Sequence, residues 1–154
     1  MSEHRASVHW SFSGADFRRG RYSREHTWRF DGGVTVPASP SPSVVPAPFS
    51  NPAGVDPEEA FVAAVASCHM LTFLHLASKR GFLVERYADD AVGVMTKNER
   101  GKYWVSRVSL NPEIVYGAGA APTSEQIAEL HHLAHEECFI ANSIRTEVVV
   151  AERG

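Results

Sequence analysis

Cys68 and Cys138 are the only cysteines in a chain of 154 residues, and they are the side chains best suited to chemistry. Cys68 stands in Ala66-Ser67-Cys68-His69-Met70, and Cys138 in His135-Glu136-Glu137-Cys138-Phe139. Two such thiols can be small buried hydrophobes or a redox pair, and their separation in the chain decides neither. A reactive Cys68 carries an electrostatic requirement. The thiolate is the nucleophile, and an ordinary thiol of pKa ~8.5 is only a few per cent ionised near neutral pH. Cys68 falls about three turns inside a predicted helix, and the helix dipole fades within the first turn. Burial alone raises a thiol's pKa, so a nearby cation is needed. Six of the twelve arginines lie in the first 30 residues: Arg5, Arg18, Arg19, Arg21, Arg24 and Arg29. Most read as a solvated face, and one of them reaching Cys68 would meet the requirement.

The histidines offer a competing chemistry. His131 and His135 are one helical turn apart and Cys138 follows three residues later, so one helix face could bind zinc. No acidic or cysteine pair of standard spacing accompanies them. Packed or hydrogen-bonded histidines on a half-buried helix are the preferred reading, and no metal is expected.

These residues need elements to position them. Asp56-Pro57-Glu58-Glu59 is a helix start: Asp56 caps, Pro57 suits the first helical position and Glu59 completes a capping box. The helix is expected to run to Lys79-Arg80 and stop at Gly81. From Ala60 to Ser78 it contains no Asp, Glu, Lys or Arg. That is nearly enough to span a bilayer, but Ser67, Cys68, His69, Thr72, His75 and five alanines favour a buried central helix. A second capping box, Thr123-Ser124-Glu125-Gln126, opens a helix through about Glu137.

Alternation in Val8-Trp10-Phe12 and in Thr27–Phe30, with the turn Asp31-Gly32-Gly33 before Val34–Val36, predicts a small antiparallel sheet over residues 1–36. Residues 37–57 hold seven of the nine prolines and read as an ordered surface loop without regular structure. Further strands are expected at Phe82–Tyr87, Ala91–Lys97, Tyr103–Leu110 with Glu113–Tyr116, and Ile144–Val150, with a hairpin turn at Asn98–Gly101. The order β-β-helix-β-β-helix-β indicates one α+β domain over 1–154.

Fifteen basic and eighteen acidic residues leave a net charge of −3, with no electrostatic footprint for nucleic acid. Two cysteines do not make a disulfide-dense secreted scaffold. The stretch MSEHRASVHW is polar and carries no apolar signal region, so a cytoplasmic location and no membrane association are expected.

Asp56-Pro57-Glu58-Glu59 leading through an alanine-rich helix into Ser67-Cys68-His69, Glu137-Cys138 near the end of a second helix, and Gly20-Arg21-Tyr22-Ser23-Arg24 upstream together resemble the osmotically inducible protein C / organic hydroperoxide resistance family (OsmC/Ohr). The likeness spans roughly residues 5–150. It implies an OsmC-like fold, with antiparallel sheets around a long central helix, and a thiol-dependent peroxidase without metal, haem or flavin. By that resemblance Cys68 attacks an organic or lipid-derived hydroperoxide and becomes a sulfenic acid. Cys138 condenses with it to a disulfide, and a dithiol reductant, often lipoyl-linked, restores both thiols. Arg24 would stabilise the Cys68 thiolate, with Arg21 the alternative, and Glu58 would hold the arginine.

Ten residues separate Glu58 from Cys68, ~15 Å along a straight helix. Two central helices crossing antiparallel near Ala63 would set Glu58 of one chain near Cys68 of another. Ala60, Ala63, Ala64 and Ser67 are small enough for the close approach, so an interlocked two-fold homodimer is expected, as the family resemblance also implies. The loop 37–57 leads into Glu58, and Val44, Val45 and Phe49 are expected to form an apolar pocket for the organic part of a hydroperoxide. The alternative is a non-catalytic small-molecule or metal-binding protein on the same fold.

Overall fold

The computed structural model describes residues 1–153. They form two compact units, Met1–Ala60 and Phe61 onward.

In the first unit, β1 (Ala6–His9), β4 (His26–Phe30) and β5 (Thr35–Ala38) form an antiparallel sheet in the order β1-β4-β5. The turn at Asp31-Gly32-Gly33 joins β4 to β5, with Gly33 at φ 89°, a conformation glycine adopts without steric cost. β1 is shorter than its alternation suggests, and all four of its residues are exposed, so it is not the half-buried strand expected. Trp10 and Phe12 lie beyond it. β5 runs through Pro37 into Ala38, where no regular element was expected. A strand at the edge of a sheet tolerates proline because its outward N–H has no ladder partner.

Between β1 and β4 a second, short hairpin pairs β2 (Gly14–Asp16) with β3 (Arg21–Tyr22). The alternation that predicts the sheet over residues 1–36 does not mark these two strands. The loop after β5 is ordered by buried Ser39, whose hydroxyl accepts the Asn51 N–H at 2.8 Å and donates to the Pro40 carbonyl at 3.0 Å. Ala38 then forms a parallel bridge with Val55. The chain thus returns to the sheet edge just before α1 (Pro57–Lys79) begins.

The predicted start of α1 is present in full. Asp56 Oδ1 accepts the Glu59 N–H at 2.7 Å, and Glu59 Oε2 accepts the Asp56 N–H at 3.1 Å. Gly81, at φ 79°, follows its end.

In the second unit α1 buries one stripe, Val65, His69, Phe73 and Ala77, at the four-residue spacing of a single helix face. Phe73 and Ala77 pack with Leu130 and Ala134 of α2 (Ser124–Glu137). Val65 packs with Val108 and Leu110 of β8 (Tyr103–Leu110). The opposite face, including Ala64, Ser67 and Leu71, is exposed within the single chain, so α1 is not the all-round buried helix expected. By length and composition alone α1 could cross a membrane. Its regular buried stripe is that of a core helix.

β7 (Val92–Lys97) and β8 form the predicted hairpin, and β6 (Val84–Asp89) pairs antiparallel with β9 (Pro112–Tyr116). β10 (Glu147–Val150) runs parallel to β8, against the expectation of purely antiparallel sheets. Thr123 caps α2 through the expected capping box. A turn of 3-10 helix, Ala141–Ser143, follows it.

Candidate functional site

The second unit brings the two cysteines together. Cys68, half-buried on α1, and Cys138, 1% exposed at the C-terminal cap of α2, are both free thiols. They are neighbours, near enough for Cys68 to influence the ionisation of Cys138. The Cys138 sulfur also accepts the Ala141 N–H at 3.4 Å, from the 3-10 turn that closes over it. Burial pushes the Cys138 thiol above its ordinary range, and the neighbouring Cys68 thiol adds to the effect; the backbone N–H groups of Ala141 and Ile140 work in the opposite direction. Cys138 therefore holds its proton more firmly than a thiol in water.

The first unit contains the candidate arginine. Arg24 is half-buried, with its guanidinium 3.9 Å from the centre of the Tyr22 ring and 5.8 Å from that of Phe49. Its Nη1 donates to the carbonyls of Tyr22 at 2.8 Å and Gly20 at 3.2 Å. These carbonyls hold Arg24 in place. Glu58 lines the same cavity, but among the described residues no ion pair joins it to Arg24. Arg21 is exposed on β3.

That cavity, about 510 Å³ and open to solvent, has the size of a small-molecule site. Trp10, Phe17 and Tyr22 form one wall, with Val8, Pro40 and Val44 also lining it. Phe17 and Tyr22 have ring centroids 4.6 Å apart, and Trp10 lies within 5.9 Å of both. The Trp10 indole N–H donates to the Ser23 carbonyl at 2.9 Å. Of the three expected pocket residues, Val44 lines the cavity and Val45 does not. Phe49 does not line it either; its ring sits beside Arg24, and its carbonyl accepts the Arg24 N–H at 3.0 Å. The aromatic wall was missed from sequence, although four aromatics among residues 10–22 of an otherwise polar stretch were a usable signal.

The histidines do not form the metal face considered. His131 Nδ1 meets His69 Nε2 at 3.0 Å, and its Nε2 meets Glu152 Oε2 at 2.7 Å, so both ring nitrogens are engaged. Among the described residues no cluster of three or more His, Cys, Asp or Glu has metal-holding geometry.

The profile of the family described as OsmC-like protein matches residues 50–153. An OsmC-like protein of unknown function from Vibrio cholerae is 54% identical, with 99% of this chain and 100% of that chain covered and a TM-score of 0.95. An organic hydroperoxide resistance protein from Legionella pneumophila, described as a predicted redox protein, shares the fold at 17% identity, with 99% and 96% covered and a TM-score of 0.71. The organic hydroperoxide resistance protein OhrB of Bacillus subtilis does so at 19% identity, with 97% and 98% covered and a TM-score of 0.61. Curated protein sequences return no match.

Proposed function

The chain belongs to the OsmC-like protein family and has its fold, and from that premise we propose that it is a thiol-dependent peroxidase acting on organic hydroperoxides. The observation that carries this reading is the pair of free thiols, Cys68 and Cys138, near enough for Cys68 to raise the pKa of Cys138. Two proteins of the same fold are named organic hydroperoxide resistance proteins.

The two sulfurs are suited to different roles. Cys68 is the more accessible and takes the peroxidatic role. Its thiolate attacks one peroxide oxygen, the O–O bond breaks, and the leaving alkoxide takes a proton from water and departs as the alcohol, which makes Cys68 a sulfenic acid. Cys138, buried and holding its proton, is the poorer first nucleophile. It resolves the sulfenic acid by attacking the Cys68 sulfur, which releases water and forms the disulfide. A dithiol reductant then restores both thiols by exchange. Arg24 is the proposed cation for the Cys68 thiolate, and Glu58 shares its cavity. The aromatic wall around Arg24 suits the organic part of a substrate better than hydrogen peroxide.

The proposed assembly is a homodimer. The exposed face of α1, with Ala64, Ser67 and Leu71, supports this, because a helix apolar on all sides buries its remaining face against another surface.

The test is turnover. With dihydrolipoamide as the dithiol, the wild-type protein should consume an alkyl hydroperoxide continuously. Cys68→Ser should abolish turnover with little loss of stability, and retained activity in that variant would contradict the assignment.

A further inference from the structure

The chain that leaves α2 folds back over Cys138, and one exposed side chain holds it there. A helix leaves its last carbonyls without partners inside the helix. Here the residues that follow supply the donors. Asn142 Nδ2 donates to the Glu136 carbonyl at 2.7 Å and to the Cys138 carbonyl at 3.0 Å. The Asn142 backbone N–H donates to the same Cys138 carbonyl at 3.0 Å. Both groups that face the carboxamide are carbonyls, which only accept, so the atom turned towards them is its nitrogen. Ser143 closes the turn. Its hydroxyl donates to the Phe139 carbonyl at 2.7 Å and its N–H to the Ile140 carbonyl at 3.0 Å.

These bonds converge on Cys138. Its carbonyl receives two of them from Asn142, and its sulfur accepts the Ala141 N–H at 3.4 Å. Backbone and sulfur are therefore both fixed by the same short turn. On either side of Ala141–Ser143, Ile140 and Ile144 pack against the core of Val65, Val108 and Leu110. Cys138 is 1% exposed even though it caps the end of a helix and the next residue, Phe139, is 82% exposed. Asn142 is itself exposed, so its carboxamide acts through these bonds and not by filling the core.

We propose that Asn142 is the positioning residue of Cys138: its carboxamide clamps the segment 139–143 over the sulfur, which shields Cys138 from outside reagents and holds it ready for the sulfenic acid of Cys68. The clamp is a property of the fold, and its use in closing the disulfide rests on the peroxidase reading. In that closure the Cys138 sulfur attacks the Cys68 sulfur, the S–O bond breaks, and the Cys138 proton leaves with the hydroxyl as water. Asn142 takes no part in the exchange of bonds. It governs how often the turn opens, because the free energy of a local opening includes each hydrogen bond that the opening breaks. Without the carboxamide the Ala141 N–H leaves the sulfur more often, and Cys138 spends longer facing water and less time in place.

Two measurements test this. The first uses Cys68→Ser protein, in which Cys138 is the only thiol, and follows iodoacetamide uptake by intact mass. Adding Asn142→Asp keeps the side-chain shape and the backbone N–H but turns an acceptor towards two carbonyls. It should raise the uptake rate about tenfold, the effect expected when hydrogen bonds that hold a local opening shut are lost. The increase should vary little with urea below the unfolding transition, which distinguishes a local opening from a general loss of stability. Asn142→Lys, whose ammonium can donate to the last carbonyls of a helix, should return the rate towards that of Asn142.

The second measurement keeps both cysteines and follows oxidation by tert-butyl hydroperoxide in quenched flow. Asn142→Asp should slow disulfide closure about tenfold and let dimedone trap sulfenic Cys68, with the first oxidation of Cys68 unchanged. Parental iodoacetamide uptake in folded Asn142→Asp protein would overturn the clamp. Faster uptake with parental closure would overturn the positioning role. If uptake rises while no form of the protein reacts with peroxide, the clamp stands and the peroxidase reading fails.

Discussion

Acid should loosen this fold through one residue. His69 is 1% exposed, and burial, reinforced by the charges of His131 and His135, pushes its pKa down from 6.5 to about 4. In the unfolded chain His69 titrates near its ordinary value. Between these limits the unfolded state binds the extra proton, so lowering the pH favours unfolding. The contribution is fully present above pH 6.5 and is lost progressively as the pH falls towards 4. The gap between 6.5 and about 4 corresponds to about 3 kcal/mol, at about 1.4 kcal/mol per pH unit. That is a large part of the roughly 5–15 kcal/mol of a typical domain. Urea denaturation of the reduced protein at intervals from pH 7.5 to 4 measures it, with His69→Gln as the reference. Glutamine carries no titrating proton, and the other acids and histidines remain in both proteins. The wild type should lose about 3 kcal/mol more than the variant over this range. Parallel stability curves for the two proteins would show that His69 does not resist protonation in the fold.

Other expectations follow from single contacts. Phe73→Ala should cost roughly 3–5 kcal/mol in urea denaturation, because Phe73 is fully buried between Ala77, Leu130 and Ala134. Arg24→Ala should move the pH profile of Cys68 alkylation upward and Arg21→Ala should not; the reverse result would transfer the role to Arg21. A bulky aromatic hydroperoxide should be turned over with a higher kcat/KM than hydrogen peroxide. Tyr22→Ala should lower that kcat/KM about tenfold, the worth of one lost aromatic contact, and equal values for both peroxides would refute the aromatic pocket.

The elements that were legible in the sequence are those whose signals are local. Asp56, Pro57 and Glu59 start α1 and Gly81 stops it by contacts within a few residues, and Thr123 with Gln126 does the same for α2. The Asn98–Gly101 turn also carries its own instructions, with Gly101 at φ 71°. The β2–β3 hairpin was hidden because two- and three-residue strands leave no alternation to read. The parallel direction of β10 was hidden because nothing in Glu147–Val150 encodes which way its partner runs. The cysteine pairing came from family resemblance, since the chain between Cys68 and Cys138 carries no trace of where they meet. For the histidines, packing on a half-buried helix was foreseen. The partnership of His131 with His69 and Glu152 was not, because it depends on three distant segments meeting in the fold.

The account depends most on the dithiol as a working pair. One equivalent of an alkyl hydroperoxide added to the reduced protein, followed by intact mass and peptide mapping, tests this directly. The expected result is the loss of two hydrogens through a Cys68–Cys138 bond, and a sulfenic or over-oxidised Cys68 in Cys138→Ser. Two thiols that remain free after treatment, in protein that co-purifies with zinc, would contradict it and favour a binding protein on the same fold.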